Sequence, residues 1–178
     1  MNIENSPPPP GQGMGKGMIV LVWLGVLAAL TWAFGLWDQR QDNPNTRPVS
    51  FSSETLREVQ LEQNRQGHYL ASGEINGTRA IFILDTGATD VVISQDLADS
   101  IGLPRGQPHI AQTANGRVRV YATRLDSLSL GSIDLRDVRA SINPAMTGEH
   151  VLLGMSALKQ VEFTQRGTTL TLRQHLDD

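Results

Sequence analysis

Ala80-Ile81-Phe82-Ile83-Leu84-Asp85-Thr86-Gly87-Ala88-Thr89-Asp90-Val91-Val92-Ile93 sets a carboxylate on a turn of small residues between two apolar runs. Short apolar runs bounded by turn residues read as buried strands. Strand interiors disfavour Asp, and a charge taken out of water needs a partner or a proton. Two readings account for Asp85. It accepts backbone N–H bonds as an ordinary turn aspartate, or it performs acid–base chemistry on a shared proton.

Outward from this stretch the chain is patterned as strands. Residues 56–61 read as a strand and 64–67 as a turn. Asn76-Gly77 is a type I′ hairpin signal between 68–75 and 78–84. Residues 95–102 read as a short helix closed by Gly102. Asn115-Gly116 forms a hairpin tip between 110–114 and 117–122, and a two-residue turn there sets Ala114 opposite Arg117 and Ile110 opposite Tyr121. Gly131-Ser132 turns between 125–130 and 133–140. In that second strand Ile133 and Leu135 give way to Val138, Ala140 and Ile142, a change of parity that predicts a β-bulge near Arg136-Asp137. Arg166-Gly167 turns into 168–172. Short strands with regular turns predict an all-β, closed, barrel-like domain with one short helix over residues 54–174, with 175–178 as a tail.

Asp85-Thr86-Gly87-Ala88, after its hydrophobic strand, resembles the catalytic loop of the retropepsin-like aspartic proteases (clan AA). Three further features agree in order: the glycine-bearing hairpin tip at Asn115-Gly116, where that family has its flap; Val151-Leu152-Leu153-Gly154; and the helix-like Met155-Ser156-Ala157-Leu158 after it. The likeness covers about residues 54–174, and with the hydrophobic segment before it the chain most resembles the bacterial, single-domain, membrane-anchored branch. The resemblance implies a retropepsin-type fold and an aspartic endopeptidase acting on a peptide or protein substrate. Asp85 would be catalytic. Thr86 would reach across to the other subunit, Gly87 would offer its N–H to Asp85, and Ala88 and Thr89 would line the substrate groove. Ala114, Asn115, Gly116 and Arg117 would form the flap, while Leu152, Leu153 and Gly154 would support the loop. Many viral relatives carry Asp where Thr89 stands, and there this sequence departs from the pattern.

Hydrolysis by carboxylates needs two of them, one ionised to take a proton from water and one protonated to hold the carbonyl oxygen. The chain has a single Asp-Thr-Gly, so the site is expected to form across a homodimer, each copy giving Asp85. The alternative, from a different class, is a catalytically silent dimeric module of the cell envelope that holds a peptide in the same groove.

The net charge of −3 over 178 residues carries no basic excess that points to nucleic acid. With no cysteine, disulfides, thiolate catalysis and cysteine-ligated zinc are excluded. His68, His109, His150 and His175 are scattered without metal-ligand spacing. No metal and no cofactor are expected. Residues 1–17 are rich in Pro and Gly and read as a disordered stub. Residues 18–37 are apolar except for Thr31, and at about 1.5 Å per residue they reach roughly 30 Å, the thickness of a bilayer core. Trp37-Asp38-Gln39 offers no small-x-small processing site, so residues 18–37 are expected to be an uncleaved transmembrane anchor. Lys and Arg do not decide its orientation. The short stub and the family resemblance favour N-in, with the domain expected outside the cytoplasmic (inner) membrane, which is the periplasm in a Gram-negative cell. Residues 38–53 read as a flexible linker with a reach of roughly 20–25 Å.

Overall fold

Residues 12–113 and 116–176 are described in a computed structural model of the chain, which divides into two units, 1–40 and 41–178. Among the described residues the first consists of residues 12–40 of helix α1, Gln12–Asp42. Its window Gly17–Gly35 is long and apolar enough to cross a membrane, with a mean hydropathy of 2.2, and its large apolar side chains from Met18 to Phe34 are exposed. α1 includes residues 12–17 of the expected stub and 38–42 of the expected linker.

The second unit is built of strands β1 Val49–Ser52, β2 Leu56–Glu62, β3 Leu70–Ile75, β4 Thr78–Leu84, β5 Val91–Ser94, β6 Pro108–Thr113, β7 Gly116–Leu130, β8 Ile133–Asn143, β9 His150–Leu153, β10 Glu162–Arg166 and β11 Thr169–His175. Two short helices interrupt them, α2 Gln95–Ser100 and α3 Met155–Leu158. Ser94 caps α2 by accepting from Leu97 N, and Gly102 follows at φ +70. The expected type I′ turn joins β3 to β4, with Asn76 at φ 49 and Gly77 at φ 79.

One sheet runs β3-β4-β9-β5-β8-β7-β6, and β3 also pairs with β7. That last pairing closes six strands into a barrel and leaves β6 as an extension on the outer edge of β7. Closure depends on Gly73, because a Cβ there would strike the Ser129 carbonyl of β7 and lie 2.7 Å from the ring of Phe82. Phe82, Ile75, Val91, Ile93, Leu125, Leu128 and Ile142 are fully buried and fill the core. A second sheet, β1-β2-β11-β10, buries Val59, Leu61, Leu170 and Leu172.

Three expectations are corrected. Residues 43–52, read as part of a flexible linker, belong to the domain. β1 pairs with β2, and the Asn45 side chain donates to the carbonyls of Glu62 (2.9 Å) and Leu70 (2.6 Å) while accepting from Glu62 N (2.8 Å). A buried amide satisfied at both ends clasps the segment as a strand neighbour would. The second correction concerns register. Thr113 pairs with Gly116, Ile110 with Arg119 and Pro108 with Tyr121. Gly116 therefore belongs to β7 at φ +109, where its carbonyl accepts from Thr113 Oγ1 at 2.8 Å. Ala114 and Asn115 lie outside the described residues. The third is the bulge. β7 and β8 keep one register from Leu130↔Ile133 to Tyr121↔Ile142, so no residue is inserted. The buried face nevertheless switches in both strands, from Leu128 to Leu125 and from Leu135 to Val138, beside Asp137 at φ 55. A paired rotation of the two strands turns the barrel corner.

Candidate active site

Asp85 is the first residue beyond β4, and parallel pairing places the ends of β4 and β9 together, with Leu84 beside Leu153 and Ile83 beside Leu152. The loop 85–90 leaves at that end and returns as β5, which meets β9 at Val92↔Leu152 on its other side. Strand β9 thus lies between the strand that enters the loop and the strand that leaves it. Leu153 is buried and Leu152 half-buried.

Backbone hydrogen bonds hold this loop to β9 and to the start of α3. Asp85 N donates to Leu153 O at 3.2 Å and Ala88 N to Asp85 O at 3.2 Å. Met155 N and Ser156 N, at the start of α3, donate to Ala88 O (2.8 Å) and Thr89 O (2.9 Å). A helix start has unsatisfied N–H groups, and here they hold the loop carbonyls. Gly154 makes the approach feasible. A Cβ at 154 would collide with Asp90 O and stand 2.7 Å from Ala88 O.

The Asp85 carboxyl is half-buried. Its Oδ1 accepts from Gly87 N at 2.9 Å, while no hydrogen bond reaches Oδ2 among the described residues. Thr86, Gly87 and Thr89 are exposed. A carboxyl with one oxygen oriented and the other open can accept or donate a proton toward a molecule in front of it.

The structure also draws in residues that sequence reading passed over. Asp90, which opens the second apolar run, accepts from Arg139 Nε at 2.7 Å and from Ser141 Oγ at 3.2 Å. The Ser156 hydroxyl accepts from Val91 N at 2.9 Å and donates to Arg139 O at 2.7 Å. These contacts tie the exit of the loop to β8. A clue lay in the apolar neighbours Val91-Val92, which require Asp90 to find a partner. The expected flap residues Gly116 and Arg117 stand at the free end of the β6–β7 hairpin. Among the described residues, no hydrogen bond joins them to the Asp85 loop. A cavity of about 920 Å³ lies elsewhere, with Ser72, Arg79, Ile81, Asp96, Leu97 and Glu149 among its lining, and takes in no residue of the loop.

Residues 71–160, from within β3 to just beyond α3, match the family described as "gag-polyprotein putative aspartyl protease". In fold the chain is similar to a retropepsin-like aspartic protease from Rickettsia conorii, with a TM-score of 0.54 and 21% identity, covering 72% of this chain and 96% of that one. It is 27% identical over 170 residues to an uncharacterized protein in the cobV 5′ region of a Sinorhizobium species, covering 89% of this chain and 72% of that protein. It is also 23% identical over 111 residues to an uncharacterized protein of Rickettsia prowazekii (strain Madrid E), covering 61% of this chain and 47% of that protein. A closed barrel carrying Asp85-Thr86-Gly87 on a loop held by β9 and α3 has the retropepsin-like fold, and the chain belongs to the gag-polyprotein aspartyl protease family.

Proposed function

We propose that the chain is a membrane-tethered aspartic endopeptidase whose active site is completed by a second copy. The observation that carries this reading is the Asp85 carboxyl, held by Gly87 N through Oδ1 and open at Oδ2, on an exposed loop of a chain with only one Asp-Thr-Gly. Across a twofold axis two such carboxyls share one proton, because like charges in close contact do not both ionise. The ionised acid takes a proton from water as its oxygen attacks the peptide carbonyl. The protonated acid donates to the carbonyl oxygen. Collapse of the tetrahedral intermediate breaks the C–N bond as the first acid gives the amine nitrogen the proton it took from water, and the second acid takes a proton back from a gem-diol hydroxyl, which restores the dyad. Thr86, exposed and without a hydrogen-bond partner among the described residues, is free to reach the other copy, and the β6–β7 hairpin would close over the substrate. Gly17–Gly35 would anchor the chain in the cytoplasmic membrane, with the domain on its outer side.

The test is cleavage of a peptide library by the full-length chain in detergent, beside an Asp85→Asn control. The substitution removes the shared acid, and turnover should fall by about 10²–10⁴-fold or more while the thermal transition stays in place. Unchanged turnover in the pure variant would reject the reading. No cleavage by the unaltered chain, with peptide binding retained, would favour the silent binding module.

A further inference from the structure

We propose that the outward face of the β6–β7 hairpin is a docking site for an acidic polypeptide segment, formed by Arg117 and Arg119 with Ile110 beside them. The chain as a whole is acidic, at −3, yet no Asp or Glu occurs from Ser100 to Leu125, where Arg105, Arg117, Arg119 and Arg124 all fall. Two of these four are neutralised within the fold. Arg105 meets Asp99 at 2.9 Å, and Arg124 meets Asp137 at 2.6 Å. Arg117 and Arg119 have no carboxylate partner among the described residues and are exposed.

Register puts both on one face. Arg117 stands opposite Gln112, Arg119 opposite Ile110 and Tyr121 opposite Pro108, and directly paired residues share a face. The other face carries Ala111, Val118 and buried Val120, with exposed His109 opposite Val120. On the arginine face Tyr121 packs against the core at the base of the hairpin, while Arg117 and Arg119, nearer the tip, are exposed. Residues two apart on a strand lie about 7 Å apart, which matches alternate carboxylates on an extended peptide. A guanidinium pairs with carboxylate in a bidentate fork. Ile110, 51% exposed, supplies an apolar contact at the same spot. Charge complementarity selects an anionic occupant, and the strand-like spacing selects an extended polypeptide. The proposal rests on the peptidase reading insofar as it names a substrate class, namely proteins with acidic residues flanking the segment to be cut.

Binding is measured on the full-length Asp85→Asn chain in neutral detergent, so that it does not depend on cleavage. The probes are fluorescein-labelled extended peptides of equal length, one with Glu at alternate positions around a Leu and one with Gln in place of each Glu. The Glu peptide should bind about tenfold or more tightly than the Gln peptide, with a preference that weakens as salt rises. Arg117→Gln with Arg119→Gln should erase the preference, and Arg117→Lys with Arg119→Lys should retain part of it. Both double variants should keep the parent's thermal transition, since neither side chain is buried or paired. Equal binding of the two peptides overturns the proposal, as does a preference that survives the Gln double variant. Tighter association with phosphatidylglycerol-doped micelles than with neutral ones, without any preference between the peptides, would assign the patch to a lipid surface and also overturn it.

Discussion

Replacing one hydrogen of Gly154 by a methyl group would push it into the carbonyl oxygens of Asp90 and Ala88. Backbone on both sides cannot yield as a flexible side chain can, so Gly154→Ala should cost about 1–3 kcal/mol and displace the loop that carries Asp85. The check is a lowered thermal midpoint together with a fall in kcat, and an unchanged midpoint would show that the loop has slack. Tyr69 gives the opposite expectation. Its hydroxyl is buried without a hydrogen-bond partner among the described residues, and burial, followed by the nearby Glu62 carboxylate, pushes the phenol pKa up. An unpaired buried hydroxyl contributes nothing that a ring hydrogen does not, so Tyr69→Phe should leave stability unchanged or raise it by up to about 1 kcal/mol. A clear loss in denaturant melts would mean that the hydroxyl has a partner. Asp85 stood out in the sequence because an acid between two apolar runs violates strand preference, while the place of Gly154 beneath the loop came from the family likeness rather than from its own pattern. The role of Asp90 was not legible, because Arg139 and Ser141 lie about fifty residues further along the chain and reach it only through the β5–β8 pairing.

Hairpins with a glycine turn were read closely at the level of elements, since φ > 0 at Asn76-Gly77 fixes the turn locally. The β6–β7 register was not, because a glycine at a strand start and a glycine in a turn look alike in sequence. Residues 43–52 were missed for a related reason. Polar residues with two prolines resemble a linker until Asn45 is seen to make the hydrogen bonds of a strand. The terminal sheet offers a test of its electrostatics. Arg173 Nε meets Glu58 Oε2 at 2.7 Å, and that hydrogen bond, followed by the one from Gln60, lowers the Glu58 pKa below its ordinary value. A lowered carboxyl pKa contributes stability above the unfolded value and loses it as pH falls through the folded one. Wild type should therefore exceed Glu58→Gln in stability by most near neutral pH. The gap should close as pH drops below about 4. Acid titrations of the thermal midpoint measure this, and a gap that widens toward low pH would refute the assignment.

Closure of the barrel by β3 and β7 completes one chain, yet leaves a single Asp85 on its loop. No pattern within one sequence specifies a partner surface, and for that reason the second half of the site was inferred from the arithmetic of one Asp-Thr-Gly and from family likeness. If two copies share the site, activity must follow the population of dimers rather than of chains. The specific activity of the full-length protein in excess detergent should fall as it is diluted through its dissociation constant. Reconstitution into vesicles at the same total concentration should restore it, because two anchored chains meet at a raised effective concentration. Adding Asp85→Asn chains in excess should suppress the wild type, since mixed dimers carry one acid and one amide and have no second acid to share a proton with. Dilution and poisoning are independent readouts. A surface requirement unrelated to the dyad would give the first without the second. Sedimentation under assay conditions decides the case, for a strictly monomeric species that cleaves at the full rate is incompatible with a shared site.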